Sequence, residues 1–140
     1  MNIKIKLVEG GILPEYKTLG SVGADCFARL DETLIIMPEK VAKVPLGFSV
    51  EIPEGYELQV RGRSGKLKDG FFTPTGTIDQ DYRGEVCAIL YNSSNYSLII
   101  NNGDRIAQAV IAPIIKAELE VVDKLSDTER GTKGFGSTGN

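Results

Sequence analysis

The chain has 140 residues, 41% of them hydrophobic, a formal net charge of −3 and no histidine. This length and composition suit a single domain with its own core, and the acidic balance argues against general polyanion binding, which a basic surface serves. Without histidine, Cys/His zinc sites and serine or cysteine triads are excluded, leaving carboxylates, Tyr, Lys, Arg, hydroxyls and a hard cation such as Mg2+ as the catalytic inventory.

In chain order, Ile3, Ile5 and Leu7 alternate with Lys4 and Lys6, which predicts a half-buried strand. The start lacks the apolar core of a signal peptide, and no apolar run reaches the ~20 residues of a membrane helix, so a cytoplasmic protein is expected. Leu34 to Ile36, Val41 to Val44 and Phe48 to Ile52 read as strands, the last two separated by Pro45-Leu46-Gly47. Pro53-Glu54-Gly55 is a tight turn into a strand from Tyr56 to Arg61. Lys66 to Asp69 is read as at most one short helical turn. Val86 to Tyr91 is a strong strand, followed by the turn Asn92-Ser93-Ser94-Asn95, the strand Leu98 to Ile100 and the turn Asn101-Asn102-Gly103-Asp104. Ile106 to Ile111 and Leu119 to Val122 complete the predicted strands. Many short strands between Gly and Pro punctuation predict an all-β sandwich or barrel. Cys26 and Cys87 lie apart in apolar surroundings and read as buried and inert. After about Ser126 the chain turns polar and glycine-rich, so residues 1–126 are expected to form the domain and residues 127–140 an arm.

Five segments carry chemical groups in unusual density. Gly76-Thr77-Ile78-Asp79-Gln80-Asp81-Tyr82-Arg83-Gly84-Glu85 holds three carboxylates, an arginine and a tyrosine within ten residues, with glycines at its start and near its end. Hairpin alternation sets Asp79 and Asp81 on one face and Gln80 and Tyr82 on the other, unless a bend intervenes. The bland reading is a solvated tip, but Ile78 between Thr77 and Asp79 points to partial burial, where a carboxylate must be paired, hydrated or functional. Arg61-Gly62-Arg63-Ser64-Gly65-Lys66 groups three cations and a hydroxyl around two glycines, a combination that suits phosphate oxygens although no P-loop pattern is present. In Gly103-Asp104-Arg105-Ile106-Ala107-Gln108 the turn reads as structural, whereas Gln108 inside an apolar run must find partners. Asp25, amid small and apolar residues from Ser21 to Ala28, is expected to be satisfied by backbone amides. Finally, Arg130 to Gly139 offers Arg130, Lys133, Ser137, Thr138, one phenyl ring at Phe135 and many open backbone N–H groups, a kit for wrapping phosphates while the ring stacks. Taken alone, that stretch is equally a flexible end.

In order along the chain, GADCFA, GRSG, GTIDQDYRGEV, GDRIAQAVI and RGTKGFGSTG resemble the five motifs of the trimeric dUTPases, across residues 23 to 139. The resemblance implies a jelly-roll-like β-barrel, a homotrimer, active sites shared between subunits, and a C-terminal arm that closes over a site elsewhere in the trimer. It implies that dUTP is hydrolysed to dUMP and pyrophosphate, which supplies dUMP and keeps uracil out of DNA. Asp79 then holds the water that attacks the α-phosphorus, and Tyr82 packs on the deoxyribose and excludes a 2′-hydroxyl. Gly76, Thr77 and Ile78 belong to the hairpin whose backbone reads uracil. Arg63, Ser64, Gly65 and Gln108 contact the phosphates. From the arm, Arg130, Gly136, Ser137 and Thr138 join them and Phe135 stacks on the base. Mg2+ rides on the triphosphate, with Asp25 at most in its outer shell. The chain departs from the family pattern at Gly62, usually proline, and at Lys66, usually apolar; Ala24 and Lys133 differ as well. A dCTP deaminase-like enzyme of the same fold and a non-catalytic nucleotide-sensing module are the alternative readings, and no nucleic acid or membrane partner is expected.

Overall fold

The computed structural model describes residues 1–134. In chain order these form β1 (Lys4–Leu7), β2 (Ala24–Phe27), β3 (Leu34–Ile36), β4 (Val41–Pro45), β5 (Phe48–Glu51), β6 (Tyr56–Gly62), α1 (Ser64–Lys68), β7 (Phe71–Phe72), β8 (Gly76–Ile78), β9 (Cys87–Asn92), β10 (Leu98–Ile100) and β11 (Arg105–Pro113). The strands pair antiparallel throughout, as a four-stranded sheet β2-β11-β6-β8, a three-stranded sheet β4-β9-β7, and the pairs β1-β5 and β3-β10. The all-β class read from the sequence is the class observed. Among the described residues no helix is long and apolar enough to cross a membrane.

Period-two patterning explains which faces meet. Phe48 and Val50 of β5, Leu58 and Val60 of β6, Ala88 and Leu90 of β9, and Leu98 and Ile100 of β10 are buried, while Ser49, Glu51 and Ile99 between them face outward. These side chains join Cys26, Ile36, Val44, Leu46, Val86 and Ile106 in one core. Each large apolar side chain so buried contributes about 1.5–3 kcal/mol.

One polar residue lies fully inside. Asn92 donates through Nδ2 to the carbonyls of Ile36 (2.8 Å) and Tyr96 (2.7 Å), and its Oδ1 accepts from the Ser94 N–H (2.9 Å) and hydroxyl (2.7 Å). All four hydrogen-bonding positions of the amide are filled, which offsets its desolvation and fixes the turn after β9. Burial pushes the Cys26 thiol up to about 12 and raises that of Cys87, and both cysteines are unpaired, in line with the inert reading.

Two expectations change. The helical turn forms as α1, over Ser64–Lys68, beginning as soon as β6 ends. Leu119 to Val122 is not a strand: it has no sheet partner among the described residues, and Leu119 and Val121 are almost fully exposed. Their β-propensity goes unused because a strand needs a neighbour for its N–H and C=O groups. Among the described residues regular structure ends at Pro113, and residues 115–134 lie exposed along the surface. The expected arm boundary after residue 126 falls inside this stretch.

Where β1 runs past the β4–β5 turn, Gly47 has φ +77°, and a Cβ there would lie 2.6 Å from the Gly11 Cα. Its N–H donates to the Glu85 carboxylate at 3.0 Å and its carbonyl accepts from the Val8 N–H at 3.0 Å. Gly47→Ala is therefore expected to cost about 2–4 kcal/mol, through strained backbone and a clash with main chain that cannot move aside. A urea midpoint equal to that of the parent would refute this close approach.

Candidate active site

The four-stranded sheet positions two groups of functional residues. β11 lies between β2 and β6, with Gln108 opposite Asp25 on one side and Arg61 on the other. Directly opposed residues share a face. Gln108 Nε2 donates to the Gly62 carbonyl at 2.9 Å, so the amide inside the apolar strand has its partner. A register shift between Arg105 and Ala107 breaks the β2–β11 ladder and aims the Arg105 side chain back at Asp25.

Asp25 is buried, and the expectation that backbone amides satisfy it fails. Its neighbours' amides are engaged in pairing with β11, and its own N–H and C=O pair with Glu15. Two guanidinium groups take the carboxylate instead: Arg63 Nε lies 2.9 Å from Oδ1 and Arg105 Nη1 lies 3.1 Å from Oδ2. Arg63 Nη1 also donates to the Arg105 carbonyl at 3.2 Å. The triad orients Arg63 at the end of β6 before any ligand arrives.

Beside this triad opens a polar cavity of about 680 Å³. Of the expected site residues it gathers Asp25, Arg63, Ser64, Gly65 and Gln108. It also takes in Lys17, Asp69 and Arg105, which the sequence reading did not assign to a site, and Lys66, read there only as one cation of the Arg61–Lys66 segment. Arg105 was legible only as part of a turn; its role depends on the β11 irregularity, which leaves no mark on local periodicity.

Thr77 and Asp79 line a different cavity, of about 320 Å³, together with Tyr56, Gln80, Asp81 and Lys116. β8 pairs with β6 so that Ile78 faces Leu58 and Gly76 faces Val60. Ile78 packs half-buried on the core, which anchors the strand leading to Asp79. The bend foreseen as an exception does occur. Tyr82 N–H donates to the Asp79 carbonyl at 3.1 Å, and the Arg83 guanidinium donates to the carbonyls of Gln80 (2.7 Å) and Tyr82 (2.9 Å). Strand alternation therefore stops at Asp79, and its carboxylate is exposed. The Tyr82 hydroxyl donates to the Glu85 carbonyl at 3.1 Å, and the ring lies over Gly84, where a Cβ would come within 2.5 Å of Cζ. Gln80 Oε1 is buried and has no partner among the described residues.

The two groups stand apart. Arg63 follows the end of β6, whereas Asp79 follows Ile78, whose partner Leu58 is near the start of β6. Six residues of strand separate the two levels, roughly 20 Å at about 3.3 Å per residue. Arg130 is exposed and lines neither cavity. The expected contributions of Phe135, Gly136, Ser137 and Thr138 lie outside the described residues.

Asp25→Asn leaves two guanidinium groups without a counter-charge. Allowing for the partial exposure of both arginines, it is expected to lower stability by about 1–3 kcal/mol. Chemical denaturation measures this, and an unchanged midpoint would mean that the triad is not held together by charge.

With this geometry in place, the comparisons with known proteins are direct. Residues 9–139 match the dUTPase family. The chain is 53% identical over 142 residues to the deoxyuridine 5'-triphosphate nucleotidohydrolase of Treponema denticola, covering 99% of each protein. A mutant Staphylococcus bacteriophage 80alpha dUTPase solved with dUpNHpp superposes with a TM-score of 0.90 at 30% identity, over 99% of both chains. A mutant dUTPase from phage phi11 of S. aureus, solved to define the coordination of a structural Mg(II) ion, superposes with a TM-score of 0.83 at 26% identity, over 91% of this chain and 100% of that one.

Proposed function

The chain belongs to the dUTPase family and hydrolyses dUTP, and from that premise we propose how its own residues do so. The observation that carries the reading is the cavity in which the Asp25–Arg63–Arg105 triad, Ser64, Gly65 and Gln108 meet. It joins a fixed guanidinium fork, a hydroxyl and a side-chain amide, the donors that suit a chain of phosphates.

Asp79 is the base. In-line displacement needs a water fixed opposite the leaving group, and without histidine a carboxylate is the available proton acceptor. The water oxygen bonds to the α-phosphorus. The bond from that phosphorus to the bridging oxygen breaks, pyrophosphate leaves with the electron pair, and the water proton passes to Asp79. dUMP is the other product. Gly76, Thr77 and Ile78 read uracil through their backbone, a role that fits β8 as the outermost strand of its sheet, with peptide groups left on its free edge. Tyr82 packs on the deoxyribose: its ring is held over Gly84 and remains partly open to a ligand. The arm, residues 127–140, closes the site, with Arg130, Ser137 and Thr138 on the phosphates, Gly136 beside them and Phe135 on the base.

Asp25 and Asp69 line the phosphate cavity, a donor set too sparse for a protein cage but suited to the waters of an ion that arrives on a triphosphate. Mg2+ is the proposed cofactor, with Asp25 in its outer shell. When bound, it offsets the charge that develops on the departing pyrophosphate.

The active form is proposed to be a homotrimer. The half-sites around Arg63 and Asp79 are too far apart in one chain to act on one phosphorus, which favours sites made between copies. Ile115, Leu119 and Val121 are more than nine-tenths exposed, an apolar run that another copy would cover. A donor from that copy would also satisfy Gln80 Oε1. The resemblance to the trimeric enzymes supports three as the number. Two free thiols suit the reducing cytoplasm, where we place the protein.

The test is pyrophosphate release from dUTP, dCTP, dTTP and UTP with Mg2+, following the base by its ultraviolet spectrum. Release from dUTP alone is expected, and Asp79→Asn should lower kcat by at least about 100-fold while dUTP still binds. Loss of the cytosine spectrum from dCTP, or near-normal turnover by the Asp79 variant, would overturn the assignment.

A further inference from the structure

We propose that Lys66 is a further phosphate-binding residue, reaching the pyrophosphate portion of the nucleotide and setting how tightly the chain holds triphosphate and released pyrophosphate. This rests on the reading of the Arg63 cavity as the phosphate end of the site. Lys66 lies in α1, half-buried, and lines that cavity. Its Nζ sits 5.0 Å from the centroid of the Phe71 ring, and Phe71 is buried, so the ammonium rests against a fixed wall instead of sweeping through solvent.

The other cations of the cavity are already committed. Arg63 and Arg105 share Asp25, and Lys17 pairs with Glu15 at 2.5 Å. Asp69 also lines the cavity but is exposed and does not pair with Lys66. Among the described residues no carboxylate lies within 4.0 Å of the Lys66 ammonium. A partly desolvated cation without a counter-charge favours an anion beside it. The most highly charged group brought to this cavity is the triphosphate. Gln108 is carried by the sheet on β11, whereas Lys66 comes from α1, just beyond Ser64 and Gly65, so the two line the same cavity from different elements.

The experiment compares the parent with Lys66→Met, Lys66→Arg and Arg63→Ala, measuring kcat and KM for dUTP and inhibition by pyrophosphate and by dUMP. Met keeps an unbranched side chain over Phe71 without the charge. The expected result is a rise of about five- to tenfold in KM and in the pyrophosphate inhibition constant for Lys66→Met, with kcat and dUMP inhibition within about twofold of the parent. Lys66→Arg should restore most of the loss. If Arg63→Ala weakens pyrophosphate and Lys66→Met does not, the cavity reading stands and the Lys66 proposal falls. If neither substitution affects pyrophosphate, both fall. Equal weakening of dUMP and pyrophosphate by Lys66→Met, without recovery in the arginine variant, would reveal a structural role and overturn the proposal.

Discussion

A carboxylate taken out of water must be compensated, and Asp25, the one buried charged side chain among the described residues, ties the site together for that reason. Its two partners come from different places: Arg63 from the end of β6, and Arg105 from the irregular start of β11. The ion triad thus fastens three parts of the chain at one point. Because both arginines remain partly exposed, each still offers N–H groups to a ligand. A cluster of this kind serves binding more than stability. It holds positive charge in a fixed direction, so little ordering cost is left for the moment of binding.

The order of strands in the sheet then decides what one chain can do. β11 in the middle brings Asp25 and Gln108 together and sets Arg61 beside them, while β8 at the edge carries the approach to Asp79. Antiparallel pairing puts the end of β6 and the end of β8 at opposite ends of the same ladder. Arg63 and Asp79, the proposed phosphate donor and the proposed base, are separated by the length of a strand, a consequence of topology that no side-chain movement can reverse. The cavity at Asp79, the Gln80 oxygen left without a partner among the described residues, and the exposed apolar run after Pro113 are the features that the proposed assembly would cover.

How much could be read from the sequence follows the same physics. β10 has the bounds read from its apolar run, and β9 and β5 were legible because alternation and β-branched or aromatic residues coincide there. β2 was not read as a strand: Ala24, Asp25 and Cys26 are small or polar, and only pairing with β11 makes that segment extended. The residues gathered around the phosphate cavity were found from their chemistry, since cations, hydroxyl and glycine stand together in sequence. What escaped were the two partners of Asp25, because Arg63 and Arg105 lie 38 and 80 positions away. Alternation after Asp79 failed for the opposite reason: a local turn, held by Arg83 across its carbonyls, brings Gln80 to the same cavity as Asp79 and Asp81. Leu119 to Val122 shows the limit of propensity, since a segment suited to a strand stays irregular where it pairs with no strand among the described residues.

The strand's length between the two half-sites has a genetic meaning. A lesion at Arg63 and a lesion at Asp79 damage different halves of the machinery, so two chains that are each inactive still hold one intact half apiece. In a mixed assembly built as proposed, those halves meet at some sites and not at others. Alleles of the two kinds would complement one another inside one particle, while two copies of the same lesion would not. In that proposed assembly a single defective chain would be dominant in part, because it would spoil sites to which its healthy neighbours also contribute.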